Sequence, residues 1–273
     1  MMLRTLAACG LALSLPFTAH AHRAWILPAA TVLSGEAPWV TFDAAVSNDI
    51  FHTDFHPLRA PMLSATGPDG AKAPLQNVST GRFRTTFDLE LASPGTYKVF
   101  VASHGLSATW EENGERRFWP PRGQPYTDEG FAANVPERAD KLAVTQFSRR
   151  IETFVTAGAP DDAALAASDI GLELIPDTHP NDLFAGETAR FRFLIDGAPA
   201  EGVEVTVLPG GMRYRNEQDE ITLRSDGEGF VDITWPAAGQ YFLEAEYSDD
   251  QARAPATRRR GGYAATFEVL PGL

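Results

Sequence analysis

Histidine is the residue whose type and spacing most invite chemistry in this sequence. The chain carries six. Two of them, His20 and His22, sit in FTAHAHRAWILP (17–28), where an apolar leader gives way to alternating sequence. A chain beginning at His22 would offer one metal ion two nitrogens from a single residue, the α-amine and the imidazole. The amine has a reference pKa of about 7.7–8.0, so copper, nickel or zinc can displace its proton near neutrality. That chelate is half of a histidine brace, and a second histidine must come from elsewhere in the chain. The plainer reading is that any residue can follow a cleavage site.

FHTDFHP (51–57) supplies the next candidates, His52, Asp54 and His56. Pro57 pushes His56 away from helical angles, and in an extended segment the three side chains would share one face. At about 3.3 Å per residue, however, His52 and His56 would stand roughly 13 Å apart along a strand. Two imidazoles with metal bonds of about 2 Å can scarcely bridge that gap. One of the pair with a distant ligand, or a turned loop, is then required. The alternative reading makes them exposed polar positions alternating with core residues Phe51 and Phe55. His104, after GTYKVFVAS (95–103), is a further partner for His22. His179, in the polar loop DTHPND (177–182), has the weaker claim because it falls in the second half of the chain.

Nitrogen donors without thiolates suit Ni, Co, Cu or Zn rather than Ca or Mg, and intrinsic affinity favours copper. The sequence contains no glycine-rich phosphate loop, no G-x-S-x-G elbow and no Cys-His pair, so nucleotide and acyl-transfer chemistry have no local signature. RRFWPPRGQPY (116–126) mixes aromatic, proline and arginine side chains. It reads as a packed connection, or else as a docking surface.

The elements that must position these residues begin with the leader. Arg4, an apolar run from Leu6 to Phe17 and the triplet Ala19-His20-Ala21 follow the grammar of a secretory signal peptide over residues 1–21, too short to be a permanent span. Cleavage after Ala21 would discard His20 and Cys9, the single cysteine, and leave a disulfide-free periplasmic protein starting at His22. The formal charge of −13 becomes −14 without Arg4. That balance argues against nucleic-acid partners and anionic membrane surfaces and is compatible with cations.

Beyond the leader, short apolar stretches alternate with turn residues, and 20 prolines interrupt any long helix. The class is all-β, with two β-sandwich domains. The first spans 22–165 and includes runs at 38–46, 82–91, 95–103, 106–112 and 148–157. A short helix near Glu129–Asn134 lacks evident caps, and Trp39, Phe42 and Trp110 read as core. From Leu172 seven runs with turn signals between them predict an immunoglobulin-like sandwich over 166–273. Within it Phe191, Phe193 and Ile195, like Val203, Val205 and Val207, alternate onto one face. TRRRGG (257–262) reads as a solvated hairpin loop.

AHRAWILPAATVLSGEAPWVTFDAAVSNDIFHTDFHP, together with FDLELASPGTYKV, ETFVTAGAP and LELIPDTHPNDLFAGETARFRFLIDGAPAEGVEVTV, resembles a bacterial periplasmic domain-of-unknown-function family labelled NikM-like. Its members are described as periplasmic components of cobalt/nickel transport. The resemblance implies an exported β protein tied to transition-metal uptake, with an inner- or outer-membrane transport component as partner. It also implies an H-x-x-W start at His22–Trp25 and a histidine-bearing segment at 51–57. Relatives often have adjacent histidines there, whereas this chain has Phe55 before His56.

The function expected is therefore a periplasmic accessory protein, not an enzyme, that binds nickel, cobalt, copper, zinc or iron through His22, His52, Asp54, His56 and His104. The first alternative is a metal-independent module that docks to a membrane transport partner. A remoter one is a copper oxygenase built on the N-terminal brace.

Overall fold

The computed structural model describes residues 22–121 and 123–272; the leader, residues 1–21, lies outside the described residues. Strands dominate. The first half holds β1 (Arg23–Pro28), β2 (Val32–Leu33), β3 (Trp39–Ser47), β4 (His56–Pro57), β5 (Ser64–Thr66), β6 (Lys72–Ala73), β7 (Gln76–Thr80), β8 (Thr85–Glu90), β9 (Gly95–Glu112), β10 (Glu115–Trp119) and β11 (Asp140–Ala157), with the helix α1 (Asp128–Asn134) before β11. The second half holds β12 (Leu172–Pro176), β13 (Thr188–Ile195), β14 (Ala198–Pro199), β15 (Glu204–Pro209), β16 (Ile221–Arg224), β17 (Phe230–Thr234), β18 (Gly239–Asp249) and β19 (Arg258–Val269). The all-β expectation is met.

Strand parity explains each core. In the second half a sheet of β12, β13, the two-residue β14 and β17 faces β16-β15-β18-β19 across an immunoglobulin-like sandwich. Phe191, Phe193, Ile195, Val203, Val205 and Val207 are all buried in it, as their alternation requires. In the first half β1-β3-β8-β7 pack on β9 and β11 through Phe42, Phe87, Leu89, Val99, Ile151 and Val155.

The two halves share one sheet. β19 pairs in parallel with β11 over nine consecutive residues, Thr145 to Thr153, so the order β16-β15-β18-β19-β11-β9-β5-β6 runs through both sandwiches. Odd positions of β11 such as Ile151 and Val155 enter the first core, while Phe154 enters the second. Leu165 also packs in the second core.

Several local expectations are corrected. Trp39 is 48% exposed, because Phe42 and Val40 take the inward positions of β3 and Trp39 shares the outward parity of Thr41. The runs 95–103 and 106–112 are one strand, continuous through Gly105. The helix is capped after all, with the Thr127 hydroxyl accepting from the Gly130 N–H. TRRRGG is mostly strand, since β19 starts at Arg258. Its central Arg259 is held by Asp196 and Asp249 rather than by water.

Candidate functional site

The position of His22 follows from how β1 is fastened. Arg23, the next residue, donates from Nε and Nη2 to Glu244 Oε1 at 3.0 and 2.9 Å, tying the start of β1 to β18. Trp25 donates to Ser47 Oγ at 2.7 Å, and Ser47 donates to the Asp49 carbonyl at 2.6 Å. β1 pairs antiparallel with β3 so that Ala24 faces Val46. Val46 is also the partner of His56, on the other edge of β3. One residue at the end of β3 thus sets the level of both His22 and His56, although 33 positions of sequence lie between them.

Phe55 closes the gap. Its ring stacks on His22 with centroids 3.7 Å apart and planes 8° from parallel, and it lies 4.7 Å from the His56 ring. His22 and His56 line one cavity of about 310 Å³ at the open end of the first sandwich, between its two sheets. Ala24, Val46 and Leu58 come from one side, and Val101 and Ile151 from the other. His56 Nδ1 lies 3.0 Å from the Pro57 carbonyl, an oxygen that can only accept. Nδ1 is therefore the donor in this contact, which leaves Nε2 as the nitrogen available to a ligand. Metal-binding histidines are commonly oriented in this way.

The other candidates do not join this pair. Residues 51–55 form a turned loop, with Phe51 at φ 61°, that leads into the two-residue β4. His52 Nε2 lies 2.5 Å from Arg213 Nη1, so its lone pair accepts from a guanidinium. Asp54 accepts from the Asn48 N–H at 3.0 Å and from its side-chain amide at 3.2 Å, which pins the loop. His104 pairs across from Ser148 on β11. It stands one residue out of phase with Ser103, which lines the His22–His56 cavity, so His104 projects from the opposite sheet face. Among the described residues no three His, Cys, Asp or Glu side chains gather as a metal cluster.

His104 instead borders a cavity of about 630 Å³, with Tyr126, Phe131, Phe147, Asp196 and Arg259 among its walls. Burial alone would raise the Asp196 carboxyl, but hydrogen bonds from Arg259 and the Gly171 N–H hold it below the usual range. Tyr126 is pushed up to about 12, by burial first and then by its hydrogen bond to Asp128. Tyr126 also lies where a side chain on Gly105 (φ 150°) would stand, within 2.3 Å of the ring. Segment 116–126 therefore buries Trp119 and docks Tyr126, leaving Phe118 57% exposed.

His179 joins the halves. Its Nδ1 accepts from the Asn181 N–H at 3.1 Å and its Nε2–H donates to Thr96 Oγ1 at 2.9 Å. The chain of hydroxyls continues from Thr96 to Thr156 at 3.1 Å and from Thr156 to Asn181 Oδ1 at 2.9 Å. Burial lowers the His179 pKa, against smaller opposing contributions from Asp161, Asp162 and Asp182. The sequence reading passed over Met62 and Arg149, which also line the His22–His56 cavity. For Arg149 a signal existed, because it has the same parity as Ile151 on β11.

No curated protein matches the sequence. Among solved structures, the D0-D1 domain of intimin aligns at 13% identity over 90% of this chain and 97% of its own, with a TM-score of 0.22. The fibronectin(III)-like modules of Clostridium thermocellum CbhA align at 10% identity over 90% and 94%, with a TM-score of 0.21. The FN1-FN3 domains of chicken CNTN1 align at 6% identity over 90% and 97%, with a TM-score of 0.24. Residues 19–249 match the model of a family described as a domain of unknown function, DUF4198, and the chain belongs to that family.

Proposed function

We propose that the protein is exported to the periplasm, begins at His22 after cleavage, and carries a transition-metal ion as cargo for an uptake system in the inner or outer membrane. No helix among the described residues is long and apolar enough to cross a membrane. The observation that carries the reading is the convergence of His22 and His56 on one cavity, with the Nδ1 of His56 occupied by a carbonyl and its Nε2 available to a ligand. Cleavage would turn the His22 peptide nitrogen into an amine, so two residues would supply three nitrogen donors. Nitrogen-only ligation suits nickel, cobalt, copper or zinc.

The test separates the chelate from the side chains. Calorimetric titration with Cu(II), Ni(II), Co(II) and Zn(II) is expected to show tight binding by the mature protein. Binding should fall at least ~10-fold in His56→Ala, and as far when one glycine precedes His22, since loss of an inner ligand should equal or exceed the 10- to 100-fold seen for outer-shell changes. His52→Ala and His104→Ala are expected to leave binding unchanged. Tight binding that survives both the extension and His56→Ala would remove the site. Failure of the mature protein to bind any of the four metals would remove the function.

A further inference from the structure

Besides the two histidines, the cavity shared by His22 and His56 has one ionic side chain in its lining, Arg149, and no carboxylate. Arg149 sits on β11 opposite Ser103, on the face of Ile151, and is exposed. The ion pairs formed by the described residues do not include it; its neighbour Arg150 takes Glu152 and Glu173 on the other face of the sheet. A guanidinium does not deprotonate in a protein, so its charge cannot be shed when a cation enters. The cavity floor, made by Ala24, Val46, Leu58, Val101 and Ile151, is apolar and screens charge poorly.

Beside the fixed positive charge of an exposed guanidinium, two imidazoles and an amine hold a bare dication less tightly than they would without it. The same groups suit a metal that brings its own negative ligands. A guanidinium matches a carboxylate through two parallel hydrogen bonds, while neutral imidazoles complete the coordination of the metal. A volume of about 310 Å³ is at the small end of ligand pockets, sufficient for a compact polycarboxylate and too small for a large macrocycle.

Taking the His22–His56 pair as the metal site, we propose that the cargo is a metal–carboxylate complex of the hydroxycarboxylate type, in which Arg149 holds a carboxylate and His22 and His56 bind the metal. The metal passes into the site with its anion and no bond other than metal–ligand bonds changes.

Citrate is the probe. Mature protein, Arg149→Gln and His56→Ala are titrated with Ni(II), with Cu(II), with citrate alone, and with each metal as its citrate complex. Thermal unfolding confirms that the exposed Arg149 substitution leaves the fold intact. The expected result is binding of the complexes at least tenfold tighter than citrate alone. Arg149→Gln should lose at least tenfold for the complexes while binding the bare ions as well as before or better, and Arg149→Lys should recover part of the loss. If citrate strips the metal from the mature protein and from Arg149→Gln to the same extent, the carboxylate role of Arg149 is overturned and the metal site stands. If no metal binds in either form, or citrate alone binds as tightly as its complexes, the metal reading falls and this inference with it.

Discussion

Phe55 is the residue on which the site turns. It stacks against His22 and lies 4.7 Å from the His56 ring. Phe55→His would put a third imidazole beside the first two, and calorimetric titration is expected to show at least ~10-fold tighter Ni(II) or Cu(II) binding. An unchanged affinity would mean that position 55 does not face the metal. His179 gives a second residue-level expectation. Burial lowers its pKa in the folded chain, so its contribution to stability is present above the unfolded value of about 6.5 and is lost as pH falls through the lower folded value. Protonation would put a hydrogen on the Nδ1 that now accepts from Asn181. The urea midpoint of the native protein should therefore fall more between pH 7.5 and pH 5 than that of His179→Gln, and equal falls would assign the acid sensitivity elsewhere. The histidines themselves were legible in the sequence. Their grouping was not, because it depends on Val46 pairing with both Ala24 and His56, a register set by contacts across the fold. Nor could spacing reveal that Arg213 and Asn48 occupy His52 and Asp54.

Among the elements, β11 carries the most opposed demands. Its odd face fills the first core, while Arg150 and Glu152 are turned into the contact with the second half, 8% and 3% exposed. Arg150 meets Glu152 at 3.1 Å and Glu173 at 3.3 Å. Tyr263 donates to Glu152 at 2.9 Å, and the Ser168 and Ile170 N–H groups donate to Glu173. Removing the one cation strands two buried carboxylates. Arg150→Met is accordingly expected to destabilise by roughly 3–5 kcal/mol in urea unfolding, and a loss below about 1 kcal/mol would show the cluster to be better hydrated than its burial implies. At this scale the alternation of β13 and of the first residues of β15 was readable in the sequence, because Phe191, Phe193, Ile195, Val205 and Val207 all face one core. The opening of β19 was not, since its arginines resemble a loop until Asp196 and Asp249, distant in sequence, are brought alongside Arg259. Trp39 misled for a related reason. Parity fixes which residues share a face but leaves open which face is inside, and Phe42 decided it.

For the whole molecule, the shared sheet bears on where the chain can be cut. A fragment of residues 170–273 contains β12 to β19 but lacks Phe154 and Leu165, both in the core of the second sandwich. It also leaves the β11 side of β19 unpaired. Losing packing of that kind costs about 2–5 kcal/mol per large side chain, against a total stability of about 5–15 kcal/mol, and an open strand edge invites self-pairing. The fragment is expected to show strand circular dichroism but to associate at micromolar concentration in analytical ultracentrifugation. A fragment from residue 140 onward should stay closer to monomeric; if both behave alike, β11 is dispensable to the second sandwich. The same nine-residue seam between β11 and β19 also governs how cargo can leave. Two lobes that clamp a ligand need a flexible joint between them, and a continuous ladder of hydrogen bonds supplies none. For the metal cargo proposed above, held in a cavity at an open sheet end, residence time would be set by ligand exchange at a standing rim, and a recipient offering stronger donors would draw the metal off without first prising the two halves apart.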